Sequence, residues 1–519
     1  MVDQNPRRCC HRGEAVSSIP RLASHLVLPC VLATTCLARA GVFEPGASAV
    51  TLTGGFLFVE GPAADPSGAI FFTDKPRSNI WKWSDATGLS LWRTNSGGAN
   101  GLYFWTNDCL YACEEFLHRV TTIDMAQNVT ILVSNYNNKA FNTPNDLWVS
   151  PAGSVYFTDP YWPWNGSPQG VCAVYWLGPG SATASRVITS VQQPNGILGT
   201  PDFKRLYVPD DAGKTTYVFT IVQDGIVTNR RFFAPIQCDG MTLDDGGNLY
   251  LTDWSGTRRH IVAYDEDGVK IDELIVAEDP QNVVRGGADG RTLYVTAHTS
   301  LYAIRLAAVH YLRRGVNGYE QLSCSISEAA SNTSFSADAA MPVGNVPGGG
   351  GEFRAVLSFA LTNVPRDHVI TNLTLKLHTH ESNTGSLARL WLHRLLATPG
   401  NDVTWTDARA GQPWTTPGGA YDPVPLASAS GFLTGASRAI LFPSTTSLLA
   451  AADLALAAGQ PLNLIVLADT NASSILTLAS SQHDTWLYRP ILNVMDIVPE
   501  PALWAGAVSS LISFLRFRP

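Results

Sequence analysis

The chain has 519 residues and a formal net charge of −8, too long for one ordinary core, so two or more domains are expected. The acidic balance, with a sequence pI near 5.8, argues against nucleic acid as a partner. Charged residues make up only 15% while glycine is abundant and aromatics reach 10%, which suits β structure better than helix.

Residues 1–40 read as a signal peptide. Arg7, Arg8, His11, Arg12 and Arg21 form a basic leader, Leu22 to Leu37 is apolar, and Ala38-Arg39-Ala40 fits a small-x-small cleavage site. Export would start the mature chain near Gly41 and remove Cys9, Cys10, Cys30 and Cys36. Cys109, Cys113, Cys172, Cys238 and Cys324 remain. Cys109 and Cys113 share one predicted strand, roughly 13 Å apart at ~3.3 Å per residue, too far for a bridge. The cysteines read as apolar fillers rather than a disulfide framework.

Between residues 60 and 300 a phrase recurs six times: PSGAIFFTD, NDCLYACEE, PAGSVYFTD, PDFKRLYVPD, DGGNLYLTD and ADGRTLYVTA. Each is a turn followed by an apolar strand. The residue before each strand is Gly68, Asp108, Gly153, Phe203, Gly247 or Gly290, and eight positions earlier stand Glu60, Asn100, Asn145, Asn195, Asp239 and Asn282. Repeats of roughly 40–50 residues with about four strands each predict a β-propeller, here six-bladed. Equivalent positions would then form a ring of oxygen-bearing side chains about one axis. Asp74, Asp159 and Asp253, at the strand ends, are expected to bond turns within their own blades.

The propeller is expected over 41–310. Residues 311–497 read as a linker and a second β unit, a jelly-roll-like β-sandwich, so the whole chain is expected to be all-β. FRAVLSFAL from Phe353 and NLTLKLHTH from Asn372 alternate as half-buried strands do. With the Thr-Trp loop at Val403-Thr404-Trp405 and Trp414, this stretch resembles the DNRLRE domain, which implies a secreted sandwich that binds glycans. His378, His380 and His393 lie on strand faces and are assigned no role. Residues 498–519 resemble the PEP-CTERM sorting tail of exported bacterial proteins: Val498-Pro499-Glu500-Pro501, an apolar run to Leu515, then Arg516-Phe517-Arg518. That resemblance implies sorting machinery as a partner and a periplasmic, cell-surface or extracellular-matrix destination.

The ring residues offer two carboxylates and four amides, all hard oxygen donors. Ca2+ suits them best, accepting 6–8 oxygens in flexible geometry. Mg2+ and Mn2+ accept the same donors, and Zn2+, which favours the His and Cys absent from the ring, comes last. Any one of these residues alone would read as a turn residue; six at one offset read as a site.

The phrases FVEGPAADPSGAIFFTD, FNTPNDLWVSPAGSVYFTDPYW, QPNGILGTPDFKRLYVPD and CDGMTLDDGGNLYLTD resemble successive blades of the SMP-30/gluconolactonase family. The resemblance implies a six-bladed propeller with a central divalent cation, usually calcium, and hydrolysis of sugar or related lactones. Carried over by motif, Glu60, Asn195 and Asp239 are metal ligands, and Asn145 contacts metal or substrate. Asp239 is the implied catalytic base, and a metal-bound hydroxide is the alternative. Asn100 and Asn282 lie on the same rim and are expected to meet substrate, as is Trp162, which with Tyr161 and Trp164 follows the third repeat. Thr143 stands where some members carry a sugar-holding Arg, which leaves the substrate open. The other class of function is a non-catalytic, calcium-stabilised surface or matrix protein that binds polysaccharide through its second domain.

Overall fold

The computed structural model describes residues 41–162, 166–383, 389–430, 439–469 and 474–497; the expected signal peptide and sorting tail, and Trp164, lie outside them. The structure is all-β apart from one α-helix, Thr446–Ala458, and three short 3-10 turns among the described residues.

Six four-stranded antiparallel sheets, I to VI, follow one another. Their first strands are Val59–Ala64, Ala99–Phe104, Leu147–Val149, Leu198–Gly199, Met241–Leu243 and Pro280–Gly286. Sheets I to V are each built from consecutive strands. Sheet VI takes its fourth strand, Val50–Gly54, from ahead of sheet I, pairing it with Ser300–Arg305. The two ends of this region are thereby held in one sheet.

One turn recurs in all six sheets. The residue two positions before each second strand has positive φ: Gly68 84°, Asp108 56°, Gly153 86°, Phe203 59°, Gly247 87° and Gly290 63°. Its N–H donates to the carbonyl three residues earlier, at 2.8 to 3.2 Å, in every copy. Glycine takes this left-handed conformation without steric cost, and Asp108 and Phe203 adopt it within the same hydrogen-bonded turn. Identical turns impose identical register, so positions at one offset from the turn are structurally equivalent. The strand-end aspartates close the opposite end: Asp74 accepts from the N–H groups of Leu57 and Phe58, Asp159 from Asn142 and Thr143, and Asp253 from Ser255.

Beyond residue 308 the chain enters two further sheets directly. Val309–Leu312, expected to be linker or early strand, pairs with Ile491–Ile497, which also pairs with Val369–His378, itself paired with Ala439–Phe442. A seven-stranded sheet holds Leu322–Ser327, Ala340–Asn345, Glu352–Phe359, Arg389–Arg394, Ala427–Ser430, Leu462–Ala468 and Ile475–Ala479. One apolar core spans both sheets, with Leu373, Leu375, Leu377 and Val494 meeting Leu357, Phe359, Leu464 and Val466. The helix is capped by Thr445, whose Oγ1 accepts from Leu448 N at 3.0 Å, and ends at Gly459 in the left-handed region.

In Val369–His378 the alternation that sends Leu373, Leu375 and Leu377 to the core turns Lys376 and His378 to the other face. There they meet Glu266, from the turn between two sheet V strands. Lys376 Nζ donates to both Glu266 oxygens at 2.8 Å, and His378 Nε2 lies 2.8 Å from Oε1. Arg205 of sheet IV bridges Glu266 O (2.6 Å) and Tyr488 Oη (2.8 Å), and Asp202 Oδ2 accepts from Trp486 N. Arg313, fully buried, stacks on Trp486 with its guanidinium carbon 4.8 Å from the ring centre. Burial pushes the Glu266 pKa up, but Lys376, His378 and Arg313 outweigh it and hold the carboxyl well below its ordinary value. The five cysteines among the described residues are free thiols, as expected.

Glu266→Gln in the full chain is expected to lose about 3–5 kcal/mol of stability, measured by urea unfolding, because Lys376 keeps a buried charge without its counter-ion. With the folded pKa of Glu266 below the ordinary 4.5, its stabilisation is full above pH 4.5 and fades as pH falls further. Wild type should therefore lose stability in acid more steeply than the variant; parallel pH profiles would contradict this role for Glu266.

Candidate metal centre and active site

Glu60, Asn100 and Asn282 lie within the first strands of their sheets, and Asn145, Asn195 and Asp239 two or three residues before theirs. All six side chains are buried, none more than 7% exposed. Contacts string them together in sequence order. A Cβ on Gly61 would fall 2.0 Å from Asn100 O, on Gly101 2.2 Å from Asp146 Oδ1, on Gly196 2.2 Å from Asp239 O, and on Gly240 1.9 Å from Asn282 Oδ1. At four of the six joins the ring segment of one sheet is thus pressed against the next at a distance only glycine permits. Gly101 N donates to Asn145 O at 2.8 Å. The strand threonines add hydroxyl bonds across the joins: Thr73 to Asn100 O (3.3 Å), Thr158 to Asn195 O (2.5 Å) and Thr252 to Gln281 O (3.3 Å). Gly287 N to Gly68 O links sheet VI back to sheet I. The structure therefore brings all six predicted ring residues together.

The electrostatics of this locus are unfavourable as it stands. Burial pushes the Glu60 pKa up to about 7; Asp146 and Glu115 add to the rise, while Lys75 and the Gly61 N–H oppose it. Asp239 is driven well above the carboxylate range by burial and then by the charges of Glu60, Asp211 and Asp146. Asp146, also pushed up to about 7 by burial, accepts from Leu147 N and from Asn282 Nδ2 at 3.3 Å. Asn195 Oδ1 is buried with no hydrogen-bond partner among the described residues. An orphaned amide oxygen beside mutually repelling carboxylates is the environment that a hard cation satisfies. The residues present therefore fit a divalent ion.

Asp146 was not among the expected site residues. One position per repeat was marked by the offset, and Pro144-Asn145-Asp146 places two polar side chains there; the only sequence signal was that adjacency. Lys75 and Glu115 are also additions. Lys75 Nζ donates to Glu115 Oε2 at 3.0 Å, and Asn100 Nδ2 lies 3.4 Å from the same oxygen. Trp162 is half-buried beside Tyr161, whose carbonyl accepts from Gln193 Nε2 at 3.1 Å.

A cavity of about 790 Å3 lies further along the same strands and is lined by Tyr103, Trp105, Trp148, Arg285 and Trp486. No ring residue lines it, and the chemistry described above sits at the other end. Two further clusters of metal-ligating side chains occur among the described residues. In His380–Glu381–His483, both Nδ1 atoms accept backbone N–H groups, from Ser382 (3.1 Å) and Thr485 (3.0 Å). Their protons therefore sit on Nε2, facing Glu381, where a metal would need a lone pair. In Glu266–Asp267–His378 the ammonium of Lys376 already holds the carboxylate. His393 Nδ1 bonds Asp422 O, so none of the three expected bystander histidines marks a site of its own.

Residues 58–299 match the family described as SMP-30/Gluconolactonase/LRE-like region. The chain is 25% identical over 290 residues to a gluconolactonase of Zymomonas mobilis, covering 47% of this chain and 78% of that protein. It is 34% identical over 121 residues to the pentonolactonase XacC of Haloferax volcanii, covering 22% and 41% respectively. Among solved structures it is similar to a gluconolactonase from Xanthomonas campestris, with 25% identity, a TM-score of 0.47, and 51% and 91% of the two chains covered. It is also similar to regucalcin from Agrobacterium tumefaciens, a calcium-binding protein, at 18% identity and a TM-score of 0.44 over 51% and 95%.

Gly240→Ala is expected to drive a methyl into Asn282 Oδ1, costing about 1–3 kcal/mol and parting Asn282 from Asp146. Thermal unfolding and Ca2+ calorimetry of the full chain would register both changes; an unshifted variant would mean the joins are looser than described.

Proposed function

We propose that the chain is a metal-dependent lactone hydrolase built as a six-bladed β-propeller (41–310) followed by a β-sandwich (311–497). The observation that carries this reading is the buried convergence of Glu60, Asn145, Asn195 and Asp239, with Asn195 Oδ1 unpartnered. It lies inside the region that matches the gluconolactonase family. Similarity to a gluconolactonase and a pentonolactonase supports a lactone-hydrolysing enzyme. Glu60, Asn145, Asn195 and Asp239 would hold the cation, for which Ca2+ is the best match to all-oxygen donors. When bound, it supplies Lewis-acid polarisation of the lactone carbonyl and charge for the developing oxyanion.

The chain's own residues do the rest. Asn100, Asn145 and Asn282 line the approach and orient the ester, with Trp162 walling one side. Asp239 takes a proton from a water molecule as its oxygen attacks the carbonyl carbon. The carbon–oxygen bond of the ring breaks, the departing oxygen is protonated, and a hydroxy acid leaves. Asp146, bonded to Asn282, fixes that amide. Export by residues 1–40, sorting by 498–519 and polysaccharide binding by the second domain complete the proposal; they rest on the sequence resemblances.

Asp239→Asn in the full chain is expected to lower kcat on glucono-δ-lactone by at least ~10²-fold while the unfolding midpoint stays near wild type. Chelator should abolish wild-type turnover and Ca2+ restore it. Undiminished turnover in Asp239→Asn would overturn Asp239 as the base, and chelator-resistant turnover would overturn the metal.

A further inference from the structure

Two residues before each ring position lies a second tier: Phe58, Gly98, Thr143, Gln193, Gln237 and Pro280. Its chemistry is divided. On sheets I and II it is aromatic. The Phe58 ring sits against His298 (5.8 Å between centres) and under Lys75 Nζ (5.5 Å), and Gly98 is covered by the Phe116 ring, which a Cβ there would approach to 2.3 Å. Phe116 is 51% exposed, so its outer face is open to solvent. On sheets IV and V the tier is made of amides joined by a carboxylate. Gln237 Nε2 donates to Asp211 Oδ1 at 2.9 Å, Asp211 N donates to Gln193 O at 2.9 Å, and Gln193 Nε2 donates to Tyr161 O at 3.1 Å. Both glutamines are half-buried. Each spends one N–H on these bonds, leaving an Oε1 acceptor and a second N–H. In a closed succession of six, sheets IV and V stand across from I and II.

A polyhydroxylated lactone has the complementary division. Its C–H face packs on aromatic rings, and its hydroxyls each need a donor and an acceptor, which an amide offers together. An unsubstituted lactone has the same ester and no hydroxyls. Resting on the lactonase reading above, we propose that Gln193 and Gln237, held by Asp211, are specificity-determining residues that bind the ring hydroxyls of a polyhydroxylated lactone while Phe58 and Phe116 pack its C–H face. A site built to bond hydroxyls discriminates against the analogue that lacks them, because its polar groups are then left unpaired.

The test compares kcat/KM on glucono-δ-lactone and on δ-valerolactone for wild type, Gln193→Leu, Gln237→Leu and Gln237→Asn, in the full chain with Ca2+. Gln237→Asn keeps the amide but withdraws it by one methylene, so it tests reach with little risk to folding; unfolding midpoints are measured alongside. The expected result is a roughly 10-fold or greater fall on glucono-δ-lactone per variant, with less than about 3-fold change on δ-valerolactone. Equal falls on both substrates, or no fall on either, would overturn the assignment. A wild type that hydrolyses neither lactone would overturn the lactonase reading and this inference with it, an outcome separate from loss of selectivity.

Discussion

Burying Glu60, Asp146 and Asp239 close together is costly in an uncharged cavity, and the backbone around them leaves no route of escape. Each is anchored where a glycine or threonine of one sheet presses on the ring segment of the next, so relaxation of one would disturb its neighbours. Such a locus is stable in two ways: the carboxyls hold protons, or a cation joins them. The raised pKa values of Glu60 and Asp146 express the first. The orphaned Asn195 oxygen belongs with the second, since a proton on a neighbouring carboxyl does nothing for it unless it points that way. The same strain supplies chemistry: a carboxylate kept from solvent and beside like charges is a better proton acceptor than a free one.

Close approach explains why glycine recurs after the ring residues. Asn-Gly and Asp-Gly pairs are common in turns for conformational reasons, yet Gly101, Gly196 and Gly240 do not have positive φ. At these positions it is the missing Cβ that matters, because the next segment's carbonyl or amide occupies that space. The threonines of the Thr-Asp phrase work at the same joins, reaching from one sheet to a carbonyl of the next, while the aspartate beside each closes its own turn. A phrase that reads as one motif therefore divides into one residue for the contact between sheets and one for the contact within.

The parts of the site legible in the sequence were those set by local register. Six turns with the same left-handed residue made an eight-residue offset meaningful, and every side chain at that offset is in the ring. Asp146 escaped because a count of one residue per repeat has no place for two. Partners distant in sequence were not legible at all. Glu266 lies in Asp-Glu-Asp-Gly, an ordinary turn signal, and nothing near it points to Lys376, 110 residues on. Val309–Leu312 resembled the edge of a linker because its partner strand is the last one described, Ile491–Ile497. Lys376 and His378 looked like the solvent side of a half-buried strand, which alternation alone predicts; the docked turn makes that side an interior.

That docking bears on what the sheets beyond residue 308 are for. An apolar interface would hold two β units together with less penalty than a buried carboxylate, ammonium and imidazole, since desolvated ions seldom repay their cost. What ions supply is direction. Glu266 accepts from Lys376 and His378 while Arg205 reaches its carbonyl and Tyr488, so only one orientation satisfies all of them. Arg313, stacked on Trp486 with Glu266, Asp244 and Asp202 nearby, adds charge that tolerates no sliding. The contacts fall on sheets IV and V, the two sheets that also supply Asn195, Asp239, Gln193 and Gln237. The sheets beyond residue 308 thus brace the side of the ring that carries Asn195, Asp239, Gln193 and Gln237.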